Sequence, residues 1–450
     1  MDLYSRIVLA AFTDQVVPRE VLGVLNPSER YCQEQIKKAL DAGHIRENVR
    51  RGVRGKSLTT RYISATPSGI RYLIGSAREG SWLGNIPRES TLGCAAIGRN
   101  VSSVKQIRRI AQISAACVMC TEAGAVSPLL PHYSLLGKSE RQGQKVNGTG
   151  MILDEPEDEE TDGNCGAGHT YCSLITDAVR RDRPEIKDGS EIYTSDRETA
   201  PARFHPAREV KRRVYGSTHD ADRSRTVGIA ESSCRSLLLF ATDEPCCRWT
   251  ETGARTERSV AAGWNRFHAE RYRPPDGRRE TCGALFVRNA RHFGSIYGSG
   301  AGERGVAPGE GFDSFHIIPL SYEGVRFLGL LLEKDDAEIE REVTGRMETA
   351  GLLSAAPGSP GDLRYLYGTL PCAFGCLMDM RQLRRLERYA ASGRPQEFGI
   401  ICFAWQRDYL RRVFPEAELI EAGEPECRGS ARNRKADMIN MENNTGEGTK

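Results

Sequence analysis

The sequence predicts an α+β protein with a helical N-terminal unit that includes one β-hairpin, a helical connector, and a C-terminal region of mixed α/β structure. Three observations lead to this fold class. Apolar residues recur at helical spacing over residues 2–42, and two strand-like stretches flank a glycine-containing turn over residues 44–65. Between residues 170 and 422, short apolar runs typical of strands alternate with helical patterns, which favours a mixed α/β architecture.

Composition limits the function classes. The chain has 450 residues, a formal net charge of +3 and 39% hydrophobic residues, as expected for a globular protein of about three domains. Because the net charge is close to neutral, a nucleic-acid partner has to be argued from local clusters of basic residues. Fourteen cysteines are about 3% of the chain, far below the share in a disulfide scaffold. With no secretory signal pattern and no apolar run long enough to span a bilayer, we expect a cytoplasmic protein with reduced thiols and no membrane partner.

Residues 1–76 begin with three predicted helices. The first covers Asp2–Phe12, and the second starts at Pro18, a residue favoured in the first turn of a helix. The third covers Ser28–Ala42, with Ser28 placed to cap its N-terminus. Gly43 follows where a left-handed residue is needed to end this helix.

The third helix has two chemically distinct faces. Its apolar face consists of Cys32, Ile36, Ala39 and Leu40. Its opposite face presents Arg30, Gln33, Glu34 and Lys37. Arginine and glutamine can read the guanine and adenine edges from a helix that lies in the major groove, whereas Lys37 and Lys38 are better placed for phosphates.

A basic hairpin follows this helix. Two predicted strands, His44–Val49 and Arg61–Ala65, flank a glycine-containing tip. Residues 46–61 hold one acid, Glu47, and six basic side chains, namely Arg46, Arg50, Arg51, Arg54, Lys56 and Arg61. A hairpin of this charge is suited to contact the phosphate backbone or the minor groove. The second strand leads through T-P-S-G-x-x-Y-L into another helix with Pro67 near its start.

This order of three helices, a basic hairpin and a helix entered through that motif resembles winged helix-turn-helix DNA-binding proteins, whose second wing strand carries a similar pattern. The resemblance covers about the first 75 residues and implies a winged-helix domain that binds double-stranded DNA. The residues that we predict to contact DNA are Ser28, Arg30, Gln33, Lys37, Lys38, Arg50, Arg51, Arg54, Lys56 and Arg61. The alternatives are a small helical domain with a solvated hairpin, and a winged helix that binds a protein.

Three further segments connect or end the domains. Residues 95–125 predict a helix whose apolar face includes Ile107, Ala111 and Val118. This connector either supports a homodimer or packs against the core of its own chain. Residues 137–168 are polar and acidic and predict a disordered linker, and residues 423–450 predict a disordered tail.

Residues 170–422 predict a mixed α/β domain of unknown role. Glu397–Trp405 has the nearly continuous apolar character of a buried strand, and Gln406–Val413 then predicts a helix. A basic amphipathic helix is predicted over Cys376–Ala391. Further predicted strands cover Ser236–Thr242, Cys282–Arg288, Ser314–Leu320 and Arg326–Leu332.

Several phrases along the chain, including SSVKQIRRIAQISAACVMCTEAGA and FGIICFAWQRDYLRRVF, together resemble replication-relaxation-like proteins of Gram-positive plasmids and conjugative elements. The resemblance implies a role in replication, transfer or gene control of a mobile element, and a nuclease-like C-terminal fold. A nuclease site would need carboxylates converging on a magnesium ion, with a lysine two residues from one of them. Pro275-Asp276 and Glu333–Asp336 are the nearest candidates, but the lysine spacing is wrong, and chance surface charge explains both better.

Other chemical motifs are weak. Residues 300–305 satisfy G-x-G-x-x-G without a following helix, and the sequence contains no P-loop motif. The C-x-x-C at 117–120 lies in an apolar helix and indicates core cysteines, while residues 165–172 approach metal-ligand spacing but lack a clear fourth ligand. We therefore predict no cofactor and no metal site.

These patterns predict a sequence-specific double-stranded DNA-binding protein, either a regulator or a replication or transfer accessory factor, with no assignable catalytic residue. The alternatives are a metal-dependent nuclease-like enzyme targeted to DNA by the winged helix, and a winged-helix protein-interaction adaptor. Carboxylates and a lysine that converge at the end of one strand would favour the enzyme.

Overall fold

The fold is α+β, with helices at the N-terminus and sheets towards the C-terminus, as predicted. The computed structural model describes residues 2–12, 16–50, 60–69, 71–73, 104–125, 202–207, 226–241, 257–265, 280–291, 293, 309, 311–356, 362–391 and 397–425. The chain divides into two compact units, Met1–His205 with Arg434–Lys450, and Pro206–Asn433. The predicted linker at 137–168 lies outside the described residues, as does the predicted tail from residue 426 onward.

The first unit contains helices and one hairpin. Its elements are α1 (Leu3–Phe12), α2 (Arg19–Leu22), a 3-10 turn (Gly23–Leu25), α3 (Glu29–Asp41), β1 (Ile45–Arg50), β2 (Thr60–Ala65) and α4 (Val104–Glu122). The apolar positions predicted from helical spacing supply much of the core. Ile7, Leu22 and Ile36 are fully buried or nearly so, and Ile63 of β2 joins them. Burial of these side chains provides the main driving force for folding of the unit.

Helix α4 packs within its own unit. Ile107 and Ala111 form a cluster with Val16, and Arg6 of α1 pairs with Glu122 near the end of α4. The apolar face predicted for the connector is therefore buried against residues of the same chain. The homodimer remains a prediction.

Two five-stranded sheets follow, and all of their strands except the first in the chain belong to the second unit. In the first, β3 (Arg203–Pro206), which lies at the boundary of the two units, precedes β4 (Thr226–Glu231), β5 (Arg235–Ala241), β6 (Glu280–Val287) and β7 (Phe315–Pro319). The sheet order follows the sequence, β3-β4-β5-β6-β7. Strands β4 and β5 are antiparallel, whereas β5, β6 and β7 are parallel.

Helices α5 (Tyr322–Glu333) and α6 (Asp336–Thr349) lead into the second sheet. Its strands are β8 (Ser354–Ala355), β9 (Tyr365–Tyr367), β10 (Leu370–Phe374), β11 (Gly399–Cys402) and β12 (Glu418–Glu421), with α7 (Met380–Ala391) and α8 (Arg407–Val413) as connections. The sheet order again follows the sequence. Strands β9 and β10 are antiparallel, and β10, β11 and β12 are parallel. Strands β9–β12 therefore repeat the order and directions of β4–β7, a duplication that the sequence alone did not reveal.

One apolar core connects the two sheets. It includes strand residues Leu238, Leu285, Ile317, Ala373 and Ile400, and helical residues Val260, Trp264, Leu383 and Leu410. The edge of β7 is covered by the turn after β10, since Ile317 N–H donates to the Met378 carbonyl oxygen at 3.1 Å. Parallel strands that are buried on both faces explain the nearly continuous apolar runs in the sequence.

One predicted strand is wrong. Arg326–Leu332 lies within the helix α5, which Ser321 caps by accepting a hydrogen bond from Gly324 N–H at 3.2 Å. A short apolar run that is buried almost all round has no period that separates a strand from a helix. The predicted strands and helices around residues 376–413 are confirmed with shorter bounds.

Two further observations concern the described part of the chain. None of its helices combines the length and apolar character needed to cross a bilayer. Its eight cysteines are free thiols, and all of them except Cys234 are buried.

Candidate nucleic-acid interface

The N-terminus of α3 is fixed by a side-chain cap. Ser28 Oγ accepts a hydrogen bond from Tyr31 N–H at 3.3 Å, and Ser28 N–H donates to Asn26 Oδ1 at 2.9 Å. The predicted capping role of Ser28 is confirmed. Such a cap satisfies one of the orphan N–H groups in the first turn of a helix.

The C-terminus of α3 is fixed by Gly43 and leads directly into the hairpin. Gly43 has φ +68°, the left-handed conformation that was predicted for it. Gly43 N–H donates to Leu40 O at 3.0 Å, and His44 N–H donates to Ala39 O at 2.9 Å. This pair of bonds is the Schellman arrangement, and it places β1 immediately after the helix.

Between these two ends, α3 buries Cys32, Ile36 and Ala39 of its predicted apolar face, while Leu40 is half-buried. The buried residues are Cys32, Gln35, Ile36 and Ala39. On the solvent side, Lys37 and Lys38 are exposed, and Arg30 exposes 91% of its side chain while it pairs with Glu34 at 3.1 Å. A surface ion pair of this kind contributes little to stability, so Arg30 can exchange Glu34 for another anion at small cost.

Gln33 is held in place by a side chain from another helix. Arg19 Nη2 donates to Gln33 Oε1 at 3.0 Å, and Arg19 Nη1 lies 3.6 Å from Glu47 Oε2. The bridge joins α2, α3 and β1. Arg19 is not among the predicted contact residues, and the only signal for it in the sequence is the single acid, Glu47, within a basic hairpin.

Strands β1 and β2 pair antiparallel from Ile45 opposite Ala65 to Arg50 opposite Thr60. Arg61 is exposed on β2, and Arg46 Nε donates to Ser64 Oγ at 3.1 Å. The backbone of Arg50 is described but its side chain is not. The other predicted hairpin contacts, Arg51, Arg54 and Lys56, lie outside the described residues.

The T-P-S-G-x-x-Y-L motif after β2 locks the hairpin to α1 and α3. Thr66 N–H donates to His44 O at 3.0 Å, and Thr66 Oγ1 accepts from Gly69 N–H at 3.1 Å. A Cβ at Gly69 would lie 2.0 Å from the carbonyl oxygen of His44, so only glycine permits this approach. The Tyr72 ring stacks on His44 at 4.7 Å between centroids, and Tyr4 Oη lies 2.7 Å from His44 Nδ1.

Burial affects the protonation of this ring cluster. It lowers the pKa of His44 and so favours the uncharged form of the ring. Burial, together with Tyr72 and Asp2, raises the pKa of Tyr4. The contacts among Tyr4, His44 and Tyr72 anchor the start of the basic hairpin.

The second unit holds a buried polar cluster around Arg235, which begins β5 and is 0% exposed. Its guanidinium donates to the Asp336 carboxylate, and to the Lys334 carbonyl oxygen at 2.6 Å. It also lies 3.5 Å from His316 Nε2 and 3.8 Å from Cys282 Sγ. The cluster therefore joins the starts of β5, β6 and β7 to the N-terminus of α6.

His316 is fixed from both sides. Its Nδ1 lies 2.9 Å from the Leu377 carbonyl oxygen, and its Nε2 lies 2.8 Å from Ser314 Oγ. Because a carbonyl can only accept, Nδ1 carries a proton and donates it to the Leu377 carbonyl oxygen. Both side chains are buried, so we interpret the pair as structural rather than as a nucleophile and its base.

The charges in this cluster stabilise one another. Burial alone would raise the pKa of Asp336, but His316 and Arg235 outweigh it and lower that pKa overall. Burial raises the pKa of Cys282 to about 11, so this residue is a thiol and not a reactive thiolate.

The predicted nuclease candidates lie apart or have structural partners. Lys334 pairs with Glu342, and Asp335 caps α6 by accepting from Glu338 N–H at 2.7 Å. Asp336 pairs with Arg235, as described above. Within the described ranges, no three or more His, Cys, Asp or Glu residues are grouped so that they could hold a metal. Pro275-Asp276 and the cysteine and histidine residues of 165–172 lie outside those ranges.

Cys117 and Cys120 are both fully buried within α4, and burial raises the pKa of Cys120. This environment agrees with the prediction of core cysteines.

No protein-family model, curated protein or solved structure that was compared with the chain matches it. The likeness to winged-helix regulators and to replication-relaxation-like proteins stays a prediction from the residues quoted above.

Proposed function

We propose that the chain is a sequence-specific double-stranded DNA-binding protein whose first unit is a winged helix. In this proposal α3 enters the major groove, and the β1–β2 hairpin contacts the phosphate backbone or the minor groove. Its role would be that of a regulator or a replication or transfer accessory factor of a mobile element, as the resemblance implies. The observation that carries the proposal is the solvent side of α3, where Arg30, Gln33, Lys37 and Lys38 lie away from the buried residues Cys32, Ile36 and Ala39.

The distribution of charge along the chain supports the proposal. Residues 1–75 contain twelve Lys and Arg against seven Asp and Glu, a net charge of +5, whereas the rest of the chain sums to −2. The basic residues are concentrated in and around α3 and the hairpin that follows it. A local excess of this kind attracts phosphates even when the whole protein is close to neutral.

The contacts that fix α3 in the unit also support the proposal. A helix that reads base edges must be held rigidly, because a small displacement breaks bidentate contacts. Here Ser28 caps one end, the Gly43 turn fixes the other, and Ile36 anchors the middle in the core. The basic side chains on the outside are free of these structural roles.

The test is a salt series of binding to a mixed-sequence pool of duplex DNA with the full-length chain. Log affinity should fall steeply with log salt, by about 0.9 for each phosphate contact. Changing Arg50, Arg51, Arg54 and Lys56 together to Ala should flatten the slope by about three to four units. Changing Lys37 and Lys38 to Ala should flatten it by about two units.

The matched control for the α3 variant is Arg411→Ala with Arg412→Ala, which removes two exposed positive charges from α8 in the second unit. This control should leave the slope unchanged. If the wild-type chain shows no salt-dependent binding to any duplex, the proposal is wrong and the first unit is a protein-interaction module. If the control flattens the slope as much as the α3 variant does, the interface lies elsewhere.

A further inference from the structure

The bridge from Glu47 through Arg19 to Gln33 lies within the proposed DNA-binding unit. Arg19 and Glu47 expose 36% and 28% of their side chains, so the bridge is reachable from solvent. The backbone near Arg19 is anchored, because Val17 and Ile63 of β2 exchange N–H···O hydrogen bonds at 3.0 and 2.7 Å. The backbone that carries the Arg19 side chain is therefore fixed against β2 of the hairpin.

The chemistry of the bridge determines the orientation of the Gln33 amide. A guanidinium has five N–H donors and no acceptor, whereas a glutamine amide has one acceptor oxygen and one donating NH2 group. The 3.0 Å contact with Arg19 therefore requires Gln33 to turn Oε1 towards the guanidinium. The Nε2 donors must then point away from Arg19.

Glu47 explains why the guanidinium stays in place. A lone arginine at a DNA surface would be drawn to the nearest phosphate. The Glu47 carboxylate, 3.6 Å from Arg19, offsets this attraction and favours the bridged position. Holding Arg19 in this position is therefore the role of Glu47, the only acid among residues 46–61.

We propose that Arg19 is a positioning residue that fixes the Gln33 amide so that its Nε2 donors read a guanine in the major groove. The inference rests on the proposed function and adds to it the base that one side chain recognises. Guanine presents two acceptors there, O6 and N7, which match a side chain that arrives with its donors outward. Because the amide is ordered before DNA arrives, less conformational entropy is lost on binding.

The experiment first selects the preferred site of the wild-type full-length chain from a random duplex pool. Affinity is then measured for that site and for each single base-pair change in it, at one salt concentration. Gln33→Ala should reduce discrimination at one G·C pair by about tenfold, the lower part of the range for a direct base contact. Arg19→Met should reduce discrimination at the same pair about three- to tenfold, and the double variant should lose no more than Gln33→Ala alone.

Two further variants separate positioning from a general structural role. Arg19→Lys keeps one donor and the charge, so it should retain most of the discrimination that Arg19→Met loses. Arg30→Met removes an exposed arginine on the same helix that pairs with Glu34, and should leave preference at that base pair unchanged. Every variant should keep a Tm close to that of the wild type, because Arg19 and Gln33 are only half-buried and Arg30 is exposed.

The inference is overturned if Arg19→Met weakens binding to all sequences equally, because Arg19 is then a phosphate contact. It is also overturned if Arg19→Met and Gln33→Ala affect different base pairs, or if the affected pair presents no guanine. Absence of salt-dependent binding by the wild type would be a different result, since it removes the proposed function and this inference together.

Discussion

Two arginines, one in each unit of the chain, have opposite environments. On α3 of the first unit, Arg30 exposes 91% of its side chain and has one partner, the neighbouring Glu34. In the second unit, Arg235 is fully buried and its guanidinium donates to Asp336 and to the Lys334 carbonyl oxygen. An exposed arginine is available to a ligand and adds little stability, whereas a buried one is committed to the fold. Arg30 is therefore available for binding, whereas Arg235 serves the architecture of its unit.

The largest effect should come from breaking the buried pair. Arg235→Met removes a fully buried guanidinium and leaves Asp336 without its main partner, which typically costs about 3–5 kcal/mol of unfolding free energy. Since 24% of the Asp336 side chain is exposed, we expect the lower end, about 3 kcal/mol. Urea unfolding followed by far-UV circular dichroism measures this change. Arg30→Met, the matched control, should change the free energy of unfolding by less than about 0.5 kcal/mol.

A double variant sharpens this test. Replacing both partners, Arg235→Met with Asp336→Leu, removes the uncompensated charge, so part of the lost stability should return. If the double variant is as unstable as the sum of the two single variants, the pair does not act as a unit. The cluster would then stabilise the fold through Ser314 and His316 rather than through the ion pair.

The next effect concerns the turn that fixes the hairpin in the first unit. Gly69→Ala places a Cβ 2.0 Å from the carbonyl oxygen of His44, so the backbone has to move and stability should fall by about 1–3 kcal/mol. Gly23→Ala is the control, because a Cβ there meets nothing within 4 Å and should be neutral or slightly stabilising. Thermal unfolding of both variants decides the question. Equal Tm values for the two would show that the close approach to His44 is not needed.

Sequence signals succeeded in the first unit because they are local. A cap at Ser28, a glycine at 43 and apolar spacing through Ile36 each act within a few residues, so the bounds of α3 were predicted to within one residue. The same reasoning failed for Arg326–Leu332, where burial almost all round removes the period that identifies a helix. The strands β3, β4, β8–β10 and β12 and the helix α6 were also missed, and most of them are short or partly exposed.

The residues of the candidate site also divide into those that local sequence predicts and those that it does not. The outward face of α3 follows from helical geometry, but Arg19 reaches Gln33 across 14 residues of chain. In the second unit, Arg235 meets His316 and Asp336 across 81 and 101 residues. No periodicity or spacing in one sequence encodes such pairs, since they depend on how whole elements pack. The sequence does not show that β9–β12 have the same order and directions as β4–β7 for the same reason. The similarity lies in strand order and direction rather than in residue identity.

The smallest predicted effect concerns Ser28, where two substitutions distinguish its contribution to stability from its contribution to DNA binding. Ser28→Ala removes the hydrogen bond that caps α3 and should lower the free energy of unfolding by about 1 kcal/mol. Ser28→Asp keeps an acceptor for Tyr31 N–H and places a favourable charge at the helix N-terminus, so stability should be retained. The added carboxylate would face DNA phosphates, however, and duplex affinity should fall in the salt series.

Ser321→Ala is the matched control, because it removes an equivalent cap from α5 in the second unit. It should cost a similar free energy of unfolding while leaving affinity for duplex DNA unchanged. If Ser28→Asp binds DNA as well as the wild type does, the N-terminus of α3 does not approach the backbone, and docking of this helix in the major groove is wrong. If Ser321→Ala weakens DNA binding, the DNA interface is not confined to the first unit. The assignment of binding to the first unit alone is then wrong.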